Sequence, residues 1–396
     1  MTANNTNLNT TATKRLPPYR SLDIWRGIAS LWVMLFHAEA VMKHQYAGTA
    51  GNPVYRISAF GQLGVQMFFV ISGYCIAAAA GSALQRDHGP VAFARARLRR
   101  IFPTYWAAMW LTAALSLAAS FAVSAHFVHS SVLADLNLTT RSPQYYLANV
   151  TLTAILFHHS LLVMQAWTLC YEAFFYLAMG LFLGLAAMRK CEQSLLLYAH
   201  VLTLTILAIL IVHPNALPYP FNLWSEFGFG VMVYQCIRYP KSRLSWLVLS
   251  AAGIETCVAM VRHNILFGPI QQSLRVQYGG AFLFACLLIV LHSRDAWLVG
   301  HRFVKPLAAV GVYSYSLYLT HTFSIGIINQ VVKVMHLPAS ANFVYFVLMA
   351  IGAIMFAKIF FAYCEKPFLS ASGRARSASV LGDNTTATTV VPVSAD

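Results

Sequence analysis

Arg26 and His37 stand eleven residues apart in the first apolar stretch of the chain. At 3.6 residues per turn, that spacing is about 20° beyond three full turns and about 16 Å along a helix, so the two share a face at different depths. An imidazole that titrates near neutrality is the usual general base, and a guanidinium binds carboxylates and phosphates through a planar fork. Together they suit a helix that lines a cavity. The structural alternative is that Arg26 snorkels to the lipid headgroups while His37 hydrogen-bonds between helices. Glu172, in Trp167-Thr168-Leu169-Cys170-Tyr171-Glu172, falls at about the depth of His37 by residue counting. A carboxylate there either orients and charge-stabilises an imidazole, as in catalytic triads, or pairs with an arginine for structure alone.

Three further segments carry polar groups where an apolar environment makes them expensive. The run Tyr313-Ser314-Tyr315-Ser316-Leu317-Tyr318-Leu319-Thr320-His321 is rich in hydroxyls. It reads either as hydrogen bonding between helices or as a polar wall for a hydroxyl-bearing acceptor. Glu226, in Trp224-Ser225-Glu226-Phe227, is a weaker signal of the same kind. Between the second and third apolar stretches, Arg95, Arg97, Arg99 and Arg100 crowd a predicted loop that runs into Ile101-Phe102-Pro103-Thr104-Tyr105. Such a cluster at a membrane edge is either a topology anchor or a binding site for a ligand bearing several phosphates.

These residues must be positioned by membrane helices. Of 396 residues, 58% are hydrophobic and only 10% charged, where soluble domains carry roughly a quarter charged. Ten stretches, 22–41, 63–83, 101–123, 167–188, 195–212, 223–237, 244–261, 276–292, 307–328 and 342–363, predict an all-α, polytopic membrane protein of about ten spans. With both termini cytoplasmic, 20 of the 27 basic residues lie inside and six outside, Lys358 being within the last span; this obeys the positive-inside rule. The net charge of +15 thus follows the membrane, and nucleic acid is not implied as a partner. The same asymmetry excludes an eleventh span over 147–163, which is expected to be re-entrant or to lie on the surface. Residues 1–19 are expected to be a disordered cytoplasmic arm without a signal peptide, 20–369 the membrane domain and 370–396 a disordered tail. The seven cysteines show no CxxC pair, so neither a disulfide framework nor a zinc site is expected.

On these residues the chain resembles the integral membrane acyltransferase 3 family, within it the exopolysaccharide acetyltransferase type. The resemblance covers Arg20 to about Lys366. It rests on Ser21-Leu22-Asp23-Ile24-Trp25-Arg26-Gly27 with His37, on Phe68-Phe69-Val70-Ile71-Ser72-Gly73-Tyr74, and on Arg99-Arg100-Ile101-Phe102-Pro103-Thr104-Tyr105. Trp167-Thr168-Leu169 with Glu172, and Tyr315-Ser316-Leu317-Tyr318-Leu319 with His321, complete it. Relatives that modify O-antigen have a double glutamate followed by glutamine and a C-terminal extracytoplasmic hydrolase-like domain. Here the motif reads Tyr171-Glu172-Ala173 and a disordered tail is expected, which favours the exopolysaccharide or lipo-oligosaccharide type.

The resemblance implies transfer of an acyl group, usually acetyl, from cytoplasmic acyl-CoA to a carbohydrate hydroxyl in the bacterial inner membrane. It makes His37 the catalytic base and Arg26 its essential partner, with Glu172 expected to stabilise the imidazolium. Arg97, Arg99, Arg100 and Tyr105 would serve the CoA side, and Ser72, Trp167, Tyr318 and His321 the donor and acceptor groups; no metal is implied. Acetyl-CoA is the expected co-substrate. Expected partners are an exopolysaccharide or lipid-linked oligosaccharide acceptor, the bilayer and polysaccharide assembly machinery. The main rival is a transporter or flippase for a lipid-linked sugar, against which no half-to-half repeat or paired Gly/Pro interruption is found. A non-catalytic assembly partner would leave the buried ionisable residues without a purpose.

Overall fold

A computed structural model describes residues 19–45, 52–126, 136–213, 216–262, 274–335 and 338–382. Among them every regular element is helical: α1 (Leu22–Gln45), α2 (Pro53–Ser58), α3 (Leu63–Leu84), α4 (Gly89–Ser124), α5 (Pro143–Val150), α6 (Ala166–Arg189), α7 (Glu192–Val212), α8 (Trp224–Arg238), α9 (Arg243–Arg262), α10 (Leu274–His292), α11 (Asp295–Gly300), α12 (Lys305–Val312), α13 (Ser314–Val334), α14 (Asn342–Phe360) and α15 (Ala371–Leu381). In hydrocarbon a helix satisfies its own backbone, which is why long apolar segments adopt it. Among the described residues six helices, α3, α4, α6, α7, α9 and α14, are long and apolar enough to cross a bilayer, and the protein is a multi-pass membrane protein. The remaining expected spans coincide with α1, α8, α10 and the α12–α13 pair. These contain the polar residues or are short, so their own hydropathy does not mark them.

The helices form two layers of contact around α1, α3, α6 and α13. The first apolar cluster joins α3, α6, α7, α8 and α10, and every residue of α8 from Trp224 to Cys236 is buried in or beside it. The second joins α1, α13 and α14. Backbone-to-backbone contact holds α1 to α12: a Cβ on Gly311 would stand 1.8 Å from the Asp23 carbonyl oxygen, and one on Gly27 2.0 Å from that of Leu307. Small residues permit such an approach, and a larger one forces the helices apart. Gly311→Val is therefore expected to remove most of the folded protein from the membrane. The readout is the monodisperse peak in size-exclusion chromatography of detergent extracts, and an undiminished peak would mean that α1 and α12 tolerate separation.

Three segments differ from the sequence expectation in form. The arginine run is not a loop but the start of α4, where Pro90 occupies the first turn and needs no hydrogen-bond partner for its nitrogen. The expected ninth span is two helices that meet at Tyr313. In the C-terminal segment, 371–381 is helical rather than disordered, because Ser370 Oγ accepts from Gly373 N at 3.1 Å and Gly382 closes the helix at φ 73°. This helix is tied to α1 by Arg376, whose Nη2 lies 2.7 Å from Asp23 Oδ2. Residues 383–396 and 1–18 of the expected arms lie outside the described residues.

The stretch over 147–163 is not a helix of spanning length: α5 ends at Val150 and turns follow. Buried Asn149 pins it, giving Nδ2 to the carbonyls of Tyr145 and Ser160 and accepting from Leu162 N at 2.7 Å.

Candidate active site

Arg26 begins the site at the end of α1 nearest Asp23. Its Nη1 lies 3.3 Å from Asp23 Oδ1, and Nη2 reaches Cys75 Sγ on α3 at 3.1 Å. The guanidinium also lies within electrostatic reach of Glu172 and Glu365. It is thus one cation among three carboxylates, which holds it in place in a poorly solvated setting. Arg26 and His37 are not brought into contact: they occupy two depths of α1, as their spacing requires.

Glu172 hangs from α6 and accepts two hydrogen bonds on Oε1, from Ser72 Oγ at 3.0 Å and from Tyr176 Oη at 2.7 Å. No hydrogen bond joins it to His37, so the expected carboxylate–imidazole pair is replaced by a carboxylate–hydroxyl cluster. Tyr176 stands four residues on along α6, the spacing at which helix side chains meet. On its other side, the Arg97 guanidinium lies 5.6 Å from the Tyr176 ring and 5.5 Å from that of Phe93.

His37 meets a second histidine instead. Its ring centroid lies 5.1 Å from that of His321 on α13. His321 Nδ1 is 3.0 Å from the Leu317 carbonyl oxygen; a carbonyl only accepts, so Nδ1 carries the proton and Nε2 bears the lone pair. That Nε2 is buried without a partner, whereas His37 is half-buried and open to approach. Tyr318, with its ring 6.1 Å from His321, accepts from Thr168 Oγ1 at 2.9 Å and donates to the Gln165 carbonyl at 3.3 Å.

A cavity of about 60 Å³ lies between Glu172 and Tyr318, and neither His37 nor His321 is among the residues that line it. Ser72, Glu172 and Tyr315 line one end, Thr168 and Tyr318 the other, with an apolar wall between them. A larger groove of about 670 Å³ runs between the first half of α4 and α6, and Arg97 and Tyr176 form its inner wall. Tyr176 therefore partitions the groove from the Glu172 cluster. Arg97 Nε is buried at this wall without a hydrogen-bond partner, while Arg99 and Arg100 are exposed.

Two expected site residues sit elsewhere. Tyr105 is fully buried and donates to the Asn149 carbonyl at 2.8 Å, which makes it a brace for the pinned 147–163 segment. Trp167 packs against Phe69 and Tyr171, with centroids at 6.3 and 6.1 Å, and does not line the cavity. Conversely, Glu365 joins the site unexpectedly. A π-helical turn, Phe361–Glu365, brings its carboxylate to Ser316, 3.1 Å from the backbone N and 2.5 Å from Oγ, capping the start of α13. Arg100 is electrostatically coupled to it. Tyr176 was discoverable from its spacing to Glu172; Glu365, placed just beyond the last predicted span, was not.

The acyltransferase domain model of the acyltransferase 3 family matches residues 19–361. Among curated proteins, the Exopolysaccharide production protein ExoZ of Rhizobium meliloti is 27% identical over 346 residues, 87% of this chain and 96% of that protein. A protein of Komagataeibacter xylinus named as a membrane-bound transacylase, BcsY, is 26% identical over 322 residues, 78% of this chain and 74% of its own length. No solved structure matches.

Proposed function

This chain belongs to the acyltransferase 3 family, and from that premise we propose that it moves an acetyl group from cytoplasmic acetyl-CoA to a hydroxyl of a carbohydrate acceptor, an exopolysaccharide or its lipid-linked precursor. The O-acyltransferase activity is that of the family; the donor, acceptor and base are our assignment. We place the protein in the bacterial inner membrane with ten spans, α1, α8, α10 and α12–α13 crossing beside the six apolar helices, and with both termini cytoplasmic. The bilayer and the polysaccharide assembly machinery are its surroundings. The observation that carries the reading is the cavity that runs from Glu172 and Ser72 to Tyr318, whose ring is 6.1 Å from that of His321, the neighbour of His37.

An alcohol is a weak nucleophile until its proton is removed. His37 takes that proton as the hydroxyl oxygen attacks the thioester carbonyl. The new carbon–oxygen bond makes the ester, the carbon–sulfur bond breaks, and His37 returns the proton to the departing thiolate. His321, held by Leu317 as the Nδ1–H tautomer, orients His37 in the place expected of Glu172. Ser72 lines the donor end of the cavity, and Arg26, about three turns of α1 away from His37, holds the carboxylate cluster around Glu172. Transfer is direct, with His37 acting as a base and not as an acyl carrier.

On the cytoplasmic face Arg97, Arg99 and Arg100 hold the CoA phosphates, and the pantetheine arm follows the groove toward Tyr176. Converting both Arg99 and Arg100 to alanine is expected to weaken acetyl-CoA binding to purified protein by about tenfold or more, since hydrogen bonds to charged groups contribute about 1.5–3 kcal/mol each. Unchanged affinity would reduce them to topology anchors. The reading as a whole is tested by incubating membrane vesicles with labelled acetyl-CoA and deacetylated surface glycan. Glycan-dependent release of free CoA supports it, and release that ignores the glycan contradicts it.

A further inference from the structure

We propose that the 60 Å³ cavity between α3, α6 and α13 is the acyl pocket and that Phe68 sets the longest acyl group it admits, which holds the enzyme to acetyl. The inference rests on the acyl-transfer reading above. The cavity has about 60 Å³, the room of a few water molecules. A short acyl group fills such a space, and a longer chain must displace wall.

The wall resists displacement. Val65, Phe68, Phe69 and Leu169 supply its apolar surface. Phe69 is fixed in an aromatic stack, 4.5 Å from the Phe227 ring, which lies 4.6 Å from that of Phe175. Behind it α3 meets α8 backbone to backbone, a Cβ on Gly73 falling 2.0 Å from the Phe227 carbonyl oxygen, so α3 has no room to retreat. Leu169 is 3% exposed and sits in an apolar cluster with Tyr105, Leu152 and Leu162. Phe68 differs: it is half-buried and rests edge-on against Tyr318 at 5.8 Å, outside the stack. Of the two phenylalanines in the wall, it is the one that can be trimmed while the stack stays intact. Because Tyr318 neighbours His321, Phe68 also sets how closely the acyl carbonyl approaches the histidine pair.

The test uses membrane vesicles, deacetylated surface glycan as acceptor, and an equimolar mixture of acetyl-, propionyl- and butyryl-CoA, with the glycan esters counted by mass spectrometry. The wild type is expected to favour acetyl by about tenfold or more per added methylene, the discrimination a close-fitting apolar pocket supplies. Phe68→Ala is expected to raise the butyryl-to-acetyl ratio by about tenfold or more, and Val65→Ala to raise it less. Should Phe68→Ala fail to accumulate, Phe68→Leu and the wild-type length profile decide the matter. Equal transfer of all three chains by the wild type overturns the pocket and leaves the acyl-transfer reading standing, as does a Phe68 variant that still transfers acetyl with an unaltered ratio. A wild type that transfers no chain of any length overturns both.

Discussion

Replacing His37 with alanine is expected to abolish acetylation of the cell's polysaccharide while the protein stays in the membrane at its normal level. A positioned general base contributes about 10²–10⁴-fold in rate, enough to take ester formation below detection. Folding should survive, because His37 is half-buried and its ring neighbours are aromatic faces, Phe36 at 5.3 Å and His321 at 5.1 Å; no side-chain hydrogen bond of the core depends on it. His321→Ala tests the partner role: loss of orientation should lower the rate less than loss of the base itself. Glycan-bound acetate and immunoblots of the membrane fraction separate the two effects. Full acetylation in the His37 variant would remove that residue from the chemistry.

Arg26→Ala is the second change with a large expected effect, for a different reason. Arg26 balances Asp23, 7% exposed at its side chain, and stands within reach of Glu172 and Glu365. Arg376 still pairs with Asp23 at 2.7 Å after the change, but Glu172 and Glu365 lose a nearby cation, so the cost falls toward the lower end of the range of about 3–5 kcal/mol for breaking a buried ion pair. The variant should therefore lose activity and also accumulate poorly, unlike the His37 variant. Arg26→Lys keeps the charge but not the fork that reaches both Asp23 Oδ1 and Cys75 Sγ, so it should restore accumulation without restoring acetylation. If Arg26→Lys transfers acetyl at the normal rate, the guanidinium is there for charge balance alone.

Sequence reasoning reached depth along each helix but not the neighbour across the gap. Arg26, His37, Glu172 and His321 are legible because an ionisable group in an apolar run has few bland explanations. Residue counting put His37 and Glu172 at one level, yet rotation about the helix axes decides contacts: His37 meets His321, and Glu172 meets Ser72 and Tyr176. Tyr105 looked chemical because it follows the arginines, but its hydroxyl braces the Asn149 carbonyl. Glu365 escaped notice because a π-helical turn beyond the predicted span end carries it back to Ser316. The helix over 371–381 was missed because its composition is weak and its docking depends on one ion pair, Arg376 to Asp23. Charge asymmetry makes the mid-chain 147–163 segment non-spanning, and the structure has no helix of spanning length there; its anchor, Asn149, is visible only in the fold.

The most direct measurement of the central claim is mass spectrometry of surface glycans from isogenic strains with the gene intact, deleted, or carrying His37→Ala. The account predicts acetyl esters on the glycan in the first strain and their absence in the other two, with the His37→Ala protein present in the membrane. Glycans of identical mass in all three strains would contradict it.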